Sequence, residues 1–242
     1  MNQQNLAAGI KYLADHGLNL YAVFDCATLP ADIGQMIAAT GLSPADYARL
    51  VLLGNGGTGF WPALQAYGMR TEHPVDHFSL TLAQTFITGY LGDPPTLIAY
   101  PGDYAIPLQR LGQLAGWSHP SPLGLGISPV YGVWFAYRVA FFTTLPLPVT
   151  EQFITQSPCD TCLDKPCISA CPVRAVRGID VFDIPTCMDY RLSSNTTCAD
   201  RCLSRLACPY FPQHRYPLAQ VQYHYRRSLE SIRLYYDGMD YE

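Results

Sequence analysis

The spacing of apolar residues along the first half of the chain alternates between helical and strand periods. Near the start, Leu6, Ile10 and Leu13 recur at intervals of three and four, which places them on one face of a helix. Short apolar runs bounded by breaker residues predict strands at residues 18–24, 49–53 and 96–100. Caps, glycine stops and apolar periodicity predict helices at residues 29–40, 60–69, 73–91 and 106–115.

The second half begins with two more expected strands, around residues 125–128 and 132–143, before the proline-rich exit TTLPLPVT. Strands interspersed with helices indicate an α/β or α+β domain with a mixed sheet. Apolar positions return at spacings of three and four over residues 217–236, which predicts a C-terminal helix. We expect this helix to pack back on the body, with a homodimer contact as the less favoured use.

Composition and charge argue against two classes of binding partner, nucleic acids and membranes. The 242 residues carry a formal net charge of −4 without a basic block, which argues against a nucleic-acid partner held through phosphates. The most apolar stretch, at residues 130–142, is too short to span a bilayer and contains Arg138, so no membrane partner is expected. The first residues lack the basic start and apolar core of a secretory signal, and we therefore expect a cytoplasmic protein.

The cysteines divide the chain into regions of different chemistry. Of the nine, only Cys26 precedes residue 148, and the other eight lie between residues 159 and 208. Clustered thiols in a reducing compartment indicate metal binding or redox chemistry. The expected domains are therefore 1–148, a cysteine-rich module at 149–215, and the helix at 216–242.

The spacing within the cysteine-rich segment specifies the metal group further. The run Cys159-x2-Cys162-x4-Cys167-x3-Cys171-Pro is close to the bacterial ferredoxin pattern, in which the cysteine before proline ligates the other cluster. A reciprocal run, Cys187-x10-Cys198-x3-Cys202-x5-Cys208-Pro, follows. The crossover rule then predicts two [4Fe–4S] clusters. The first would be held by Cys159, Cys162, Cys167 and Cys208, and the second by Cys171, Cys187, Cys198 and Cys202.

Structural zinc is the main alternative, and disulfides are a remote third. Paired C-x2-C is the usual sign of zinc, but here only Cys159 and Cys162 have that spacing, and the two Cys-Pro endings have no purpose in a zinc site. Cations through the segment would offset the negative charge of the clusters, or simply form a solvated face: Lys165, Arg174, Arg177, Arg191, Arg201 and Arg205. Cys26, at the end of an apolar strand, is interpreted as a buried small residue.

Three segments of the first domain carry a resemblance to known families. They are LLGNGG at residues 52–57, HPVDHF at 73–78 and LGLGISPVYGVWFAYR at 123–138. Together they resemble the cobalamin-processing family typified by cobalamin C. Residues 124–148 are also similar to the matching region of epoxyqueuosine reductases and reductive dehalogenases, which continue into two clusters. The resemblance implies a nitroreductase-like domain that binds cobalamin base-off, beside a ferredoxin-like module.

The residues expected near the corrinoid come from these segments, and each has a structural alternative. They are Asn55, Gly56, Gly57, His73, Asp76, Gly124, Gly126, Ser128, Tyr131, Trp134 and Arg138. Glycines there would allow close approach of a ligand, or simply form turns. His73 is better explained as a helix cap with Asp76 in the first helical turn, and Tyr131 and Trp134 equally suit a core. Arg138 lies in an apolar strand and requires a partner, either a ligand anion or a buried aspartate.

The sequence thus predicts an iron–sulfur oxidoreductase. It would receive electrons from a low-potential donor and pass them through two clusters to the cobalt of cobalamin, to reduce the corrinoid or remove its upper ligand. One alternative is a corrinoid-dependent reductase of an organic substrate. The other is a ferredoxin-like carrier without a corrinoid.

Overall fold

A computed structural model describes residues 3–151, 154–179 and 181–239. The chain forms two compact units. The first unit comprises Met1–Trp117 and Phe135–Thr155, and the second comprises Ser118–Trp134 and Gln156–Glu242. This division differs from the predicted boundary at residue 148, because residues 118–134 belong to the second unit. The functions expected of the domains stay predictions.

The first unit is an α+β layer structure around one antiparallel sheet. Its helices are α1 (Gln3–Asp15), α2 (Ala31–Ala38), α3 (Phe60–Tyr67), α4 (Pro74–Tyr90) and α5 (Leu108–Leu114). Its strands are β1 (Leu20–Asp25), β2 (Arg49–Gly56), β3 (Thr96–Tyr100) and β4 (Phe135–Thr143), in the spatial order β1-β2-β4-β3. All three strand pairs are antiparallel. The α+β class is confirmed, whereas the sheet does not mix strand directions as expected.

The apolar runs of the two central strands explain this sheet. Residues of β2 and β4 are buried almost throughout, since helices cover them and neighbouring strands pair with both. Leu50 and Phe142 face each other across the β2–β4 pair and belong to a continuous core with Ile33 and Ile37 of α2. Burial of these side chains is the main source of stability for this unit.

A bulge in the β2–β4 pair determines where polar side chains of the first unit meet. Leu53 pairs with Val139 and Gly54 with Tyr137, so Arg138 is the extra residue on β4. Such bulges bend a strand and redirect its side chains. The glycine-rich run was expected to leave the strand at Gly54, but β2 continues to Gly56 because the run pairs with β4.

Apart from its last helix, the second unit has short elements joined by loops. They are α6 (Pro166–Ser169), β5 (Val176–Gly178), β6 (Val181–Phe182), α7 (Ile184–Leu192), α8 (Leu203–Leu206) and α9 (Leu218–Met239). The strand expected at residues 125–128 is instead part of a turn region with isolated bridges, His119 to Ile127 and Ser128 to Gly132. Within the described residues, no helix is both long and apolar enough to cross a membrane.

Candidate functional site

Four cysteines of the second unit form what we call the first thiol group: Cys159, Cys162, Cys167 and Cys208. Cys159 lies in a helical turn whose entry is capped by Ser157, since the Ser157 hydroxyl accepts a hydrogen bond of 3.2 Å from the Cys159 N–H. Burial, together with the charges of Cys167, Cys208 and Cys162, raises the pKa of Cys159 to about 11. The group therefore combines three thiols of one local run with Cys208, which lies 41 residues or more further along the chain.

The other four cysteines form the second thiol group: Cys171, Cys187, Cys198 and Cys202. Burial, together with the charges of Cys202, Cys171 and Cys198, raises the pKa of Cys187 to about 11. Cys171, two residues after the end of α6, thus interacts with Cys187, which comes later in the chain. Wherever one thiol raises the pKa of another, both belong to the same expected set of four. The assignment of these cysteines as cluster ligands stays a prediction.

Cys171 differs from its neighbours because the surrounding chain favours its thiolate. Burial raises its pKa, but N–H donors of Val176, Val173 and Ala175 and the hydroxyl of Ser204 outweigh burial, so the net pKa lies below the ordinary value. The Ala175 N–H is 3.3 Å from the Cys171 sulfur. Hydrogen-bond donors around a sulfur stabilise its negatively charged form, even before any cation binds.

A cavity of about 700 Å³ in the second unit is lined by all four members of the second thiol group. Apolar side chains such as Leu123, Phe182 and Met188 form much of the remaining wall. Arg191, Arg201 and Arg205 also line it, and none of the described residues in the wall carries a carboxylate. The cavity thus presents four thiols and three guanidinium groups, which suits an anionic group bound by sulfur.

Cations also lie close to the first thiol group. Lys165 contacts the Cys162 carbonyl at 3.4 Å and opposes the rise in the pKa of Cys159. Arg215 donates to the Cys208 carbonyl at 3.4 Å. The Arg205 guanidinium opposes the rise in the pKa of Cys208, a member of the first thiol group. It also opposes the rise in the pKa of Tyr225, which lines the cavity of the second thiol group. Arg205 therefore lies close to both thiol groups.

No set of three or more His, Cys, Asp or Glu side chains is arranged to hold a single metal ion within the described residues. The iron–sulfur assignment therefore stays a prediction. Cys26 lies apart in the first unit, 8% exposed in the apolar core, and burial raises the pKa of its thiol to about 12. A thiol with so high a pKa is almost entirely protonated near neutrality, as the interpretation of a buried small residue requires.

Two of the expected corrinoid residues meet across the sheet of the first unit. Arg138, at the bulge, donates from Nε to Asn55 Oδ1 at 2.7 Å, and its guanidinium lies 4.8 Å from the centroid of the Phe60 ring. Burial raises the pKa of Tyr100; the charge of Asp76 raises it further and that of Arg138 lowers it. Asn55, Asp76, Tyr100 and Arg138 are therefore neighbours, and we refer to them as the polar site.

The remaining first-unit residues have local structural roles. The Gly56 N–H donates to Asn19 Oδ1 at 2.7 Å, and the Asn19 amide donates back to the Gly56 carbonyl at 3.0 Å. Gly57 follows with a φ of +73°, a conformation that favours glycine. His73 precedes α4, but its side chain forms no capping hydrogen bond and lies exposed, 3.9 Å from Glu72. Its position was predicted correctly, whereas the capping role was not.

The expected residues of the second unit lie in two environments. Gly124 lines the cavity of the second thiol group with a φ of +66°, and Gly126 follows in the same loop. Ser128 is buried and accepts hydrogen bonds from the N–H groups of Val130 and Tyr131, both at 3.2 Å, as a turn residue does. The Tyr131 ring packs edge-on against His214, with centroids 4.9 Å apart.

Trp134 belongs to the core of the second unit. It is fully buried, its ring meets Tyr216 at 5.5 Å, and the guanidinium groups of Arg205 and Arg215 lie 5.0 and 5.7 Å from its centroid. Trp134 is therefore a core residue, which is the structural alternative that the sequence offered for it.

Three residues of these sites were not anticipated from sequence. No sequence motif surrounds Asn19 or Tyr100. Asn19 acts by bonding Gly56 of β2, and Tyr100 acts by lying near Arg138 of β4. Tyr225 lies within the predicted C-terminal helix, and its hydroxyl donates to the Cys202 sulfur. A tyrosine within an apolar stripe is the signal that would have indicated it, since a buried hydroxyl usually finds a partner.

No protein-family model and no curated protein sequence matches the chain. Solved structures do. An epoxyqueuosine reductase from Bacillus subtilis matches 89% of this chain and 67% of its own, with a TM-score of 0.59 and 13% identity. A reductive dehalogenase, whose structure is described as suggesting a mechanism for B12-dependent dehalogenation, matches 94% of this chain, with a TM-score of 0.58 and 14% identity. The chain has the fold of these reductases.

This match confirms, at the level of the fold, the resemblance indicated by the sequence motifs. The chain spans only 34% of the dehalogenase. A B12-trafficking protein, CblC from C. elegans, matches with a TM-score of 0.37, which is too low to support an argument. One epoxyqueuosine reductase structure contains a modified tRNA stem loop. For the present chain, the absence of a nucleic-acid partner stays a prediction.

Proposed function

We propose that the chain is an iron–sulfur oxidoreductase that carries electrons through two [4Fe–4S] clusters to the cobalt of a bound corrinoid. The principal support is the division of eight thiols into two sets of four, in a chain with the fold of corrinoid-associated reductases. In this proposal cobalamin is the substrate, bound base-off, and the outcome is reduction of cobalt or loss of its upper ligand.

The second unit would hold the clusters. Its cavity fits one of them, because four thiols face a wall that also carries guanidinium groups and, in its described part, no carboxylate. When assembled, such clusters store and release single electrons at low potential. The chain supplies thiolates, sulfur-directed donors such as the Ala175 N–H, and apolar cover from Leu123 and Phe182 that restricts water.

The polar site of the first unit would contact the corrinoid. A corrin ring carries amide side chains, which both donate and accept hydrogen bonds. Asn55 and Arg138 provide an amide and a guanidinium within a mostly apolar unit, with Asp76 and Tyr100 nearby. Because Arg138 already bonds Asn55, each holds the other in place for a ligand. The glycines at residues 56 and 57 leave the adjacent backbone without side-chain bulk.

The first experiment is anaerobic purification followed by iron and sulfide analysis, then titration with cob(II)alamin monitored by EPR. We expect about eight iron atoms per chain and a cobalt signal that changes to the base-off form. Zinc in place of iron would refute the redox proposal. Iron with an unchanged cobalt signal would favour the electron carrier without a corrinoid.

Arg138 allows a test of the corrinoid site itself. Arg138→Gln removes a charged donor, so we expect cob(II)alamin affinity to fall about 10- to 100-fold, since hydrogen bonds to charged groups contribute about 1.5–3 kcal/mol. The matched control is Arg110→Gln on α5, an exposed arginine that should leave affinity unchanged. Equal effects of the two changes would exclude the polar site as the place of binding.

A second candidate function is a corrinoid-dependent reductase of an organic substrate. It is favoured by one observation: the solved structures with usable similarity are named as reductases of epoxyqueuosine and of halogenated compounds. In that case the corrinoid would be retained through many turnovers. Release of one cob(I)alamin for each electron supplied to cob(II)alamin would instead support cobalamin as the substrate.

A further inference from the structure

The two thiol groups differ in the cations that surround them. Arg191, in the last turn of α7, is only 8% exposed and lines the cavity of the second thiol group. The cations of the first group are more accessible: Lys165 is half-buried and Arg215 is exposed. Solvent screens exposed charges strongly, whereas a buried charge acts on its neighbours with little screening.

Arg191 is surrounded by neutral groups. It donates to the Cys198 carbonyl at 3.3 Å, to the Ser228 hydroxyl at 3.0 Å and to the Tyr225 carbonyl at 2.8 Å. Its guanidinium also lies 5.2 Å from the centroid of the Tyr225 ring. Within the described part of the chain, it forms no ion pair with a carboxylate. Buried charges are normally paired, so a guanidinium in this position requires an anion nearby.

The second thiol group supplies that anion once it is ionised or holds a cluster. Arg191 opposes the rise in the pKa of Cys187, so it already acts on this group. The hydroxyl of Tyr225 adds a hydrogen bond to Cys202, and Ala175 adds one to Cys171. Positive charge and hydrogen bonds to sulfur both stabilise the reduced, more negative form of a cluster.

We propose that Arg191 is the counter-charge of the second thiol group and makes the cluster bound there the more easily reduced of the two. One electron would then leave the cluster at the first thiol group, oxidising it by one, and enter the cluster at the second. No bond is formed or broken and no proton is required. The proposal rests on the proposed function, because it presupposes clusters at both groups.

The test is an EPR-monitored redox titration of the full-length holoprotein and its Arg191→Gln variant. In the variant, we expect the potential of the first reduction step to fall by at least about 59 mV. For one electron, this shift corresponds to a tenfold change in the ratio of reduced to oxidised cluster at a fixed potential. The second step should stay in place. Arg201→Gln is the matched control: Arg201 lines the same cavity, but its side chain is 33% exposed and paired with Asp200.

Arg191→Lys separates charge from hydrogen-bond geometry. It keeps the positive charge and loses the planar donor set, so we expect both potentials to stay near those of the native protein. If Arg191→Gln fails to retain iron, Arg191→Lys decides the outcome through the same titration. Loss of iron in both variants would assign Arg191 a structural role and overturn the proposal.

Two other results would also overturn it. Unchanged potentials in Arg191→Gln, or equal shifts in Arg191→Gln and Arg201→Gln, would show that burial of this guanidinium does not distinguish the two groups. Either result leaves the proposed function intact, because iron and sulfide would still be present. Absence of iron from the native protein would instead refute the proposed function.

Discussion

In the first unit the central side chains are leucine, isoleucine, alanine and phenylalanine, with Cys26 as an ordinary member of the core. In the second unit the hydrophobic cluster itself contains Cys159 and Cys208, with Cys167 and Cys171 packed against it. The helices and strands of the second unit, apart from the last, are nine residues long or shorter. Short helices are marginal without tertiary support.

This difference indicates that the two units obtain their stability from different sources. A core of apolar side chains is complete as soon as the chain folds. A core built around thiols is complete only when cations bind, because ionised thiols repel one another and protonated ones form few strong contacts. Folding of such a domain is coupled to metal binding. The predictions below test this comparison.

Metal removal should have the largest effect. Chelation of iron under anaerobic conditions should abolish amide protection over most of residues 156–236, because the thiol groups lose the ions that hold their loops together. The strands β1, β2 and β4 should keep their protection. Hydrogen exchange with mass spectrometry measures both regions at once. Uniform loss of protection in both units would contradict the comparison.

Single cysteine replacements should separate ligands from core residues. Cys171→Ser should remove about half of the iron, since one set of four thiols loses a member that the surrounding donors have prepared as a thiolate. Cys26→Ser, the matched control, should leave iron unchanged. Iron and sulfide analysis of the purified variants measures this. Equal iron loss in both would show that Cys26 has been misassigned.

Truncation in the core of the first unit should reduce stability without affecting iron. Phe142 is fully buried in β4 and packs near Tyr47, with ring centroids 5.3 Å apart. Phe142→Ala should lower the free energy of unfolding of this unit by about 3–5 kcal/mol, through lost burial and a cavity. Phe142→Leu should cost less. Denaturant unfolding followed by far-UV circular dichroism measures the change, and loss of iron from the folded variant would be unexpected.

The smallest predicted effect concerns a surface ion pair of the first unit. Arg110 Nη2 lies 2.6 Å from Asp32 Oδ2, and this hydrogen bond holds the pKa of Asp32 below its usual range. A lowered folded-state pKa adds stability above the unfolded value of about 3.9, and that stability is lost as the pH falls through the folded value. Asp32→Asn should therefore lower the Tm slightly near neutrality and not at the lowest pH. Parallel curves at all pH values would exclude this contribution.

Local patterns in the sequence predicted most of the elements and indicated which chemistry to expect. The strand at Thr96–Tyr100 has the predicted bounds, and α1, α2, α4 and α9 lie within a few residues of theirs. These elements are determined by nearest neighbours, since apolar period, proline and glycine act over a few residues. The thiol spacing around Cys159 is equally local, and so it could be assigned a cluster from sequence.

The tertiary structure decided what depends on distant partners. Pairing with β4 made the run Gly54–Asn55–Gly56 a strand, and the bulge at Arg138 brought that side chain to Asn55, 83 residues away in sequence. The burial of Arg191 likewise follows from the packing of α7 beside α9. Composition and motif spacing determined which groups this chain offers. Which of them are buried, paired or placed beside a thiol depends on contacts between segments far apart in sequence, and local pattern carries no information about those contacts.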